Sequence, residues 1–163
     1  MLYHFPSRQA LIEAVVNYVT RRRVDMQAEM QAHLPHDETF RSRSVDSTWE
    51  QLQSNEFRAF CELSMAAQTD AELAAVFEPA LAAFDRARRA MALQLAEPAV
   101  AASPVFDLRR DLHRFLLEGM AQQGGITYDQ ELRKARLFAF LKLVWSDAGE
   151  TFLQQAVDAG EAT

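Results

Sequence analysis

The amino-acid sequence predicts an all-α protein, a bundle of about six helices with no strands. Three observations carry the prediction. Ala, Leu, Glu, Gln and Arg dominate the 163 residues, while Gly and Pro together supply only ten. No run of alternating β-branched residues appears anywhere in the chain. Apolar residues instead recur three and four apart, between recognisable cap and stop signals. With 49% hydrophobic and 25% charged residues, the chain has the make-up of an ordinary globular domain. Its length suits one sizeable core.

The elements can be justified in order. Ser7 is a good N-cap, and Leu11, Val15, Tyr18, Val19, Met26, Met30 and Leu34 then follow at helical spacing. This helix should run from Ser7 to His33 and stop before Pro35, about 40 Å long at the usual rise. The polar stretch 35–45 reads as a loop. Ser47-x-x-Glu50 reads as a capping box opening a short helix with Trp49 and Leu52. Ser54 or Asn55 caps a helix bearing Phe57, Phe60, Cys61, Ser64 and Met65. Thr69-x-x-Glu72 is a second capping box. Beyond it Leu73, Phe77, Ala80, Leu81, Phe84, Arg88, Met91 and Leu95 form the clearest amphipathic pattern, with a kink expected at Pro79. Residues 97–103 read as a small-residue linker. Ser103-Pro104 opens a helix to Gln123 that Gly124-Gly125 terminates. Thr127-x-x-Gln130 caps a last helix to Ala148, with Gly149 as a stop or break and a frayed tail over 156–163.

Charge and composition exclude several functions. A net charge of -6 argues against DNA binding by this chain alone, because duplex binding needs a basic face that displaces counterions. The one basic run, Arg21-Arg22-Arg23, fans around a helix and reads as a solvated face, with phosphate contact as the alternative. The single Cys61 forms no internal disulfide and fits a reducing cytoplasm, where we expect the protein to reside. No charged-then-apolar leader opens the sequence and no apolar run approaches a membrane span, so no membrane partner is expected. His33-x-x-His36-Asp37 straddles a Pro-containing loop without a third or fourth ligand, so no metal is expected. With no phosphate loop, nucleophile elbow or Cys pair, neither an enzyme nor a cofactor is expected.

The opening string Met1-Leu2-Tyr3-His4-Phe5-Pro6-Ser7-Arg8, with Ala10-Leu11-Ile12 beyond, carries a more specific signal. It resembles the segment that ends the DNA-recognition helix and opens the fourth helix in the TetR/AcrR family of bacterial transcriptional regulators. Phe57 to Leu63 followed by Ala66 to Leu73 is similar to that family's sixth-to-seventh helix junction, and His113 to Ala121 to its eighth helix. Leu2 stands where members often carry a phosphate-contacting aromatic. The resemblance implies that residues 1–6 are the remnant of a recognition helix and its turn, and that 7–155 are an effector-binding and dimerisation domain. It also implies that roughly 35–45 residues of helix-turn-helix are absent. His4 and Arg8 would then contact the DNA backbone, in the intact protein only, without reading bases.

Two sets of residues follow as candidate sites. Trp49, Phe57, Phe60, Cys61, Met65, Phe84, Met91, His113, Phe115 and Met120 lie on faces of neighbouring helices. They make either an ordinary core or an adaptable cavity for a small hydrophobic or amphipathic effector, with His113 as a polar anchor. The last two helices carry more apolar surface than one core needs. Leu108, Leu112, Leu116, Leu137, Phe138, Leu141, Val144 and Trp145 would bury it in a two-fold, four-helix interface with a second copy. The sequence therefore reads as the ligand-binding and dimerisation domain of a TetR-like regulator, a repressor. The alternative is a naturally truncated helical dimer that serves as a protein-interaction module and binds no DNA.

Overall fold

Ser7 caps the first helix, its hydroxyl accepting the amide of Ala10 at 3.1 Å. In the computed structural model, which describes residues 5–34, 40–123 and 129–161 (without the side chains of 41, 42 and 161), eight helices follow in order. They are α1 (Arg8–His33), α2 (Phe40–Gln51), α3 (Asn55–Ala67), α4 (Ala71–Leu95), α5 (Pro98–Ala101), α6 (Phe106–Gln123), α7 (Gln130–Val144) and α8 (Asp147–Glu161). No strand occurs among the described residues, so the fold is all-α. The chain divides into two compact units. One comprises Met1–His33 and Gln53–Leu95; the other comprises Leu34–Leu52 and Ala96–Thr163.

In the first unit α1, α3 and α4 pack on one another in all three pairings. Of the two cap candidates for α3, Ser54 is the one that serves, accepting the Phe57 amide at 3.2 Å, and Asn55 is the first helical residue. At α4 the cap is Asp70 rather than Thr69. Its carboxylate accepts the amides of Glu72 (3.0 Å) and Leu73 (3.1 Å), while the Thr69 hydroxyl turns back to the Ala66 carbonyl. A carboxylate is the stronger acceptor and also suits the positive end of the helix. The predicted α4 face is the observed one: Leu73, Phe77 and Phe84 are buried. Pro79 and Ala75, the residue whose carbonyl Pro79 leaves without its helical donor, both lie on the exposed side, where water can serve that carbonyl.

The face of α1 differs from its apolar pattern. Val16, Val19, Thr20, Arg23 and Gln27 are buried, whereas Leu11, Val15 and Tyr18 are exposed. Three of the buried residues are polar, so hydrophobic periodicity pointed to the neighbouring face. Thr20 is accommodated because its hydroxyl donates to the Val16 carbonyl at 2.8 Å.

The second unit corrects several predictions. Residues 40–45 are helical, not loop, which places Ser47 and Glu50 inside α2 and removes the capping box. Val45 and Thr48 lie on its buried side, and Leu52, just beyond its end, is also buried. The predicted linker contains a turn of helix, α5, with Pro98 at its first position. The last predicted helix is two, α7 and α8, broken at Trp145-Ser146 rather than at Gly149, and the helix continues through 156–161 where fraying was expected. Gly124, Gly125 and Thr127 lie outside the described residues.

Ser146 makes the break. Its amide and hydroxyl both bond the Leu143 carbonyl, at 2.9 and 2.6 Å, and its hydroxyl accepts the Gly149 amide at 3.2 Å. A Cβ on Gly149 would lie 2.3 Å from the Leu143 carbonyl oxygen and 2.7 Å from that of Val144. Only glycine allows α8 to start this close to the end of α7. Around the corner Val105, Val144 and Leu153 form a buried cluster, with Leu108, Leu112 and Val157 packed against it.

Candidate functional site

The ten candidate pocket residues fall into the two units: Phe57, Phe60, Cys61, Met65, Phe84 and Met91 in the first, Trp49, His113, Phe115 and Met120 in the second. In the first unit Phe57, Phe60 and Phe84 are buried together. The Phe60 centroid stands 5.4 Å from that of Phe77 and 6.0 Å from that of Phe84. Cys61 and Met91 are half-buried, while Met65 is 70% exposed and lines no interior.

Arg23 completes this centre, and the sequence reading misplaced it. Its guanidinium carbon lies 4.1 Å from the Phe60 centroid, 4.6 Å from Phe84 and 5.2 Å from Phe57. It is therefore buried against three ring faces, not solvated. The negative face of an aromatic ring attracts a cation, and the attraction grows when both are withdrawn from water. A guanidinium packed against three aromatic rings is the distinguishing feature of this unit's centre. No periodicity argument could find it, because Arg23 stands in a run of three arginines of which only one faces inward.

At the end of α1, Arg8 does not reach outward as a free phosphate donor. Its guanidinium donates to Asp70 at 2.6 Å and also to Glu72, tying the first turn of α1 to the first turn of α4. The Leu73 amide and then the Arg8 guanidinium hold the Asp70 carboxyl below the usual carboxylate range. Arg8 in turn is raised, chiefly by its hydrogen bond to Asp70. His4 lies outside the described residues.

In the second unit the buried side of α6 runs through Phe106, Arg109, His113, Arg114, Leu117 and Glu118. The candidate interface residues Leu108, Leu112 and Leu116 lie beside it, half-buried, and Phe115 is 61% exposed. Four polar residues occupy the inner face because each is paired. Arg114 bonds Glu118 one turn on, at 3.4 Å. Arg109, 1% exposed, donates to the Ser146 carbonyl at 2.9 Å and pairs with Glu150 at 3.3 Å. Glu150 also accepts from the Ser103 hydroxyl at 2.8 Å. The guanidinium thus clamps the α7–α8 corner, where a cation also suits the negative end of α7.

His113 is held on both sides. Its Nε2 lies 3.3 Å from the Thr48 hydroxyl, and its Nδ1 accepts the Trp145 indole N–H at 3.2 Å. With both nitrogens engaged inside its own unit, it is a structural link in this state, not a vacant ligand anchor. Trp49 meets Phe138 edge-on at 5.6 Å, and the Lys134 ammonium lies 5.3 Å from the Trp49 ring. Met120 is half-buried.

The proposed interface residues divide similarly. Leu141 and Val144 are 0% and 1% exposed in the single chain, so they fill their own core and present no surface to a partner. Trp145 and Phe138 are engaged with His113 and Trp49, while Leu108, Leu112, Leu116 and Leu137 are half-buried. The large apolar residues left exposed on these helices are Phe115, Leu132, Phe140, Leu143 and Phe152. Leu132 and Phe152 are not among the interface residues expected from the sequence.

No group of three or more potential ligands lies together among the described residues, and no helix among them is long and apolar enough to cross a membrane. Comparison with protein-family models, with curated proteins and with solved structures returned no match to this chain.

Proposed function

We propose that the chain is the ligand-binding and dimerisation domain of a TetR-like DNA-binding transcriptional regulator, a cytoplasmic repressor that responds to a small hydrophobic effector. The regulator part of this reading rests on the resemblance of the opening string. The observation that best supports a self-associating domain is the set of large apolar side chains exposed on α6, α7 and α8. Leu132, Phe140 and Leu143 follow one another along a single side of α7, and Phe140 and Leu143 are 41% and 54% exposed. A second copy would cover such a face most simply through a two-fold interface. The effector would enter the aromatic centre of the first unit, formed by Phe57, Phe60 and Phe84.

Sedimentation velocity tests the association. The wild-type chain should sediment as a dimer at micromolar concentration, and Phe140→Glu with Leu143→Glu as a folded monomer. A wild-type monomer would sink this part of the reading. The regulator part is tested in a longer chain that carries a helix-turn-helix head, by DNA affinity with and without small hydrophobic molecules. The alternative, an interaction module without DNA binding, draws support from the net charge of -6 and from the engagement of Arg8 by two carboxylates. It predicts self-association with no ligand effect on DNA.

A further inference from the structure

The His113 link has a chemical asymmetry. An indole N–H can only donate. Because Trp145 Nε1 faces His113 Nδ1 at 3.2 Å, Nδ1 has to present its lone pair, and the ring proton sits on Nε2, directed at Thr48 Oγ1. The imidazole in this arrangement is neutral. We propose that His113 is a pH-operated pin for the α7–α8 corner, holding Trp145 when neutral and releasing it when protonated.

A proton gained by the ring must go to Nδ1. Two N–H groups would then face each other across the 3.2 Å now spanned by a hydrogen bond, and attraction would become repulsion. Trp145 is the residue that closes α7, its amide bonding the Leu141 carbonyl at 3.3 Å, and Ser146 beside it makes the turn into α8. Displacing the indole therefore loosens the corner at its hinge.

The charged groups on the surrounding elements do not favour an imidazolium. On α6, Arg109 and Arg114 flank His113 at one turn and one residue, while Asp107 and Asp111 pair with Arg110. Glu118 is bonded to Arg114, and Glu150 of α8 to Arg109. On α2, Asp46 pairs with Lys142 of α7, and Glu50 is exposed. A proton on His113 would thus enter beside two arginines, while most of the nearby carboxylates are already neutralised by other cations. The proposal does not depend on the regulator reading.

The test uses the full chain, labelled with nitrogen-15. At neutral pH the His113 ring signals should report a proton on Nε2 and a bare Nδ1. As pH falls below about 6.5, the ordinary histidine value, the Trp145 indole signal should move together with His113, while that of Trp49 stays in place. Amide protection from Trp145 to Glu150 should drop roughly tenfold over that range, the equivalent of one pH unit of coupling. Trp145→Phe keeps a ring at the corner and removes the donor, so its corner protection should lose the acid response. Thr48→Val should retain the Trp145 response. A proton on Nδ1 at neutral pH, or a His113 titration that leaves the Trp145 indole unmoved, overturns the proposal.

Discussion

Single residues here are explained by what they are paired with. Phe60 meets two other rings and a guanidinium in the first unit. Truncation to alanine leaves a cavity and takes a ring face from Arg23. Phe60→Ala should therefore cost about 3–5 kcal/mol, read as a lower urea midpoint at unchanged slope. Asp70 makes a prediction of a different kind. Its folded pKa is lowered, first by the Leu73 amide and then by Arg8, so the folded state binds the proton less readily than the unfolded chain. Its contribution is complete above the unfolded value near 3.9 and is lost as pH falls through the lowered folded value. Urea midpoints measured from pH 5 down to pH 2 should show this loss in the wild type and a shallower acid slope in Asp70→Asn. An unchanged slope would mean that the pairing adds nothing in solution. Of these residues, Phe60 was legible from its spacing along a helix. Asp70 was overlooked in favour of Thr69, one residue earlier, because both fit a capping pattern and only the turn geometry chooses between them.

Among the elements, the α7–α8 corner shows how local chemistry and close packing combine. The sequence signals a break near Gly149, but the chain turns three residues earlier, where Ser146 satisfies the carbonyl end of one helix and the amide end of the next. Gly149 is required for a different reason, the approach of two carbonyl oxygens from α7. Gly149→Ala should push the two helices apart and unfold the second unit at lower denaturant, by several kcal/mol, because those oxygens belong to backbone that cannot rotate away. Ser54→Ala, which removes one cap bond without a clash, should cost only about 1 kcal/mol. If Gly149→Ala were as mild as Ser54→Ala, the close approach would not constrain the corner. On α1 and α6 the helix itself was evident from sequence, but its buried side was not. Thr20, Arg23, Arg109 and His113 face inward because hydrogen bonds, a carboxylate or aromatic rings receive them. A polar residue at a core position looks like a surface residue until its partner, distant in sequence, is known.

For the molecule as a whole, the proposed self-association makes stability depend on concentration. A dimer that buries Phe140 and Leu143 should melt at a higher temperature as protein concentration rises, by mass action. The doubly substituted Phe140→Glu, Leu143→Glu chain should melt at one temperature throughout. A wild-type Tm independent of concentration would count against the interface. The surface so assigned is not the one that periodicity selected. Leu141 and Val144 stood out as apolar residues on a helix with too many of them, yet they close their own unit's core, and their neighbours Phe140 and Leu143 remain outside. A helix that is apolar on most sides tells how much surface must be covered, but not which side the rest of the chain already covers.

The sequence by itself determined that the protein is helical, where α1, α3, α4 and α6 run, the Ser7 cap, and the aromatic face of α4. Those are local properties, set by spacing and by side chains within one turn of the backbone they bond. Tertiary structure alone decided the division into two units, the helical start of α2, the corner at Ser146, the inward turn of Arg23, Arg109 and His113, and the identity of the exposed apolar face. The inward side chains depend on partners tens of residues away, and burying a charge or an imidazole is tolerable only once such a partner is in place.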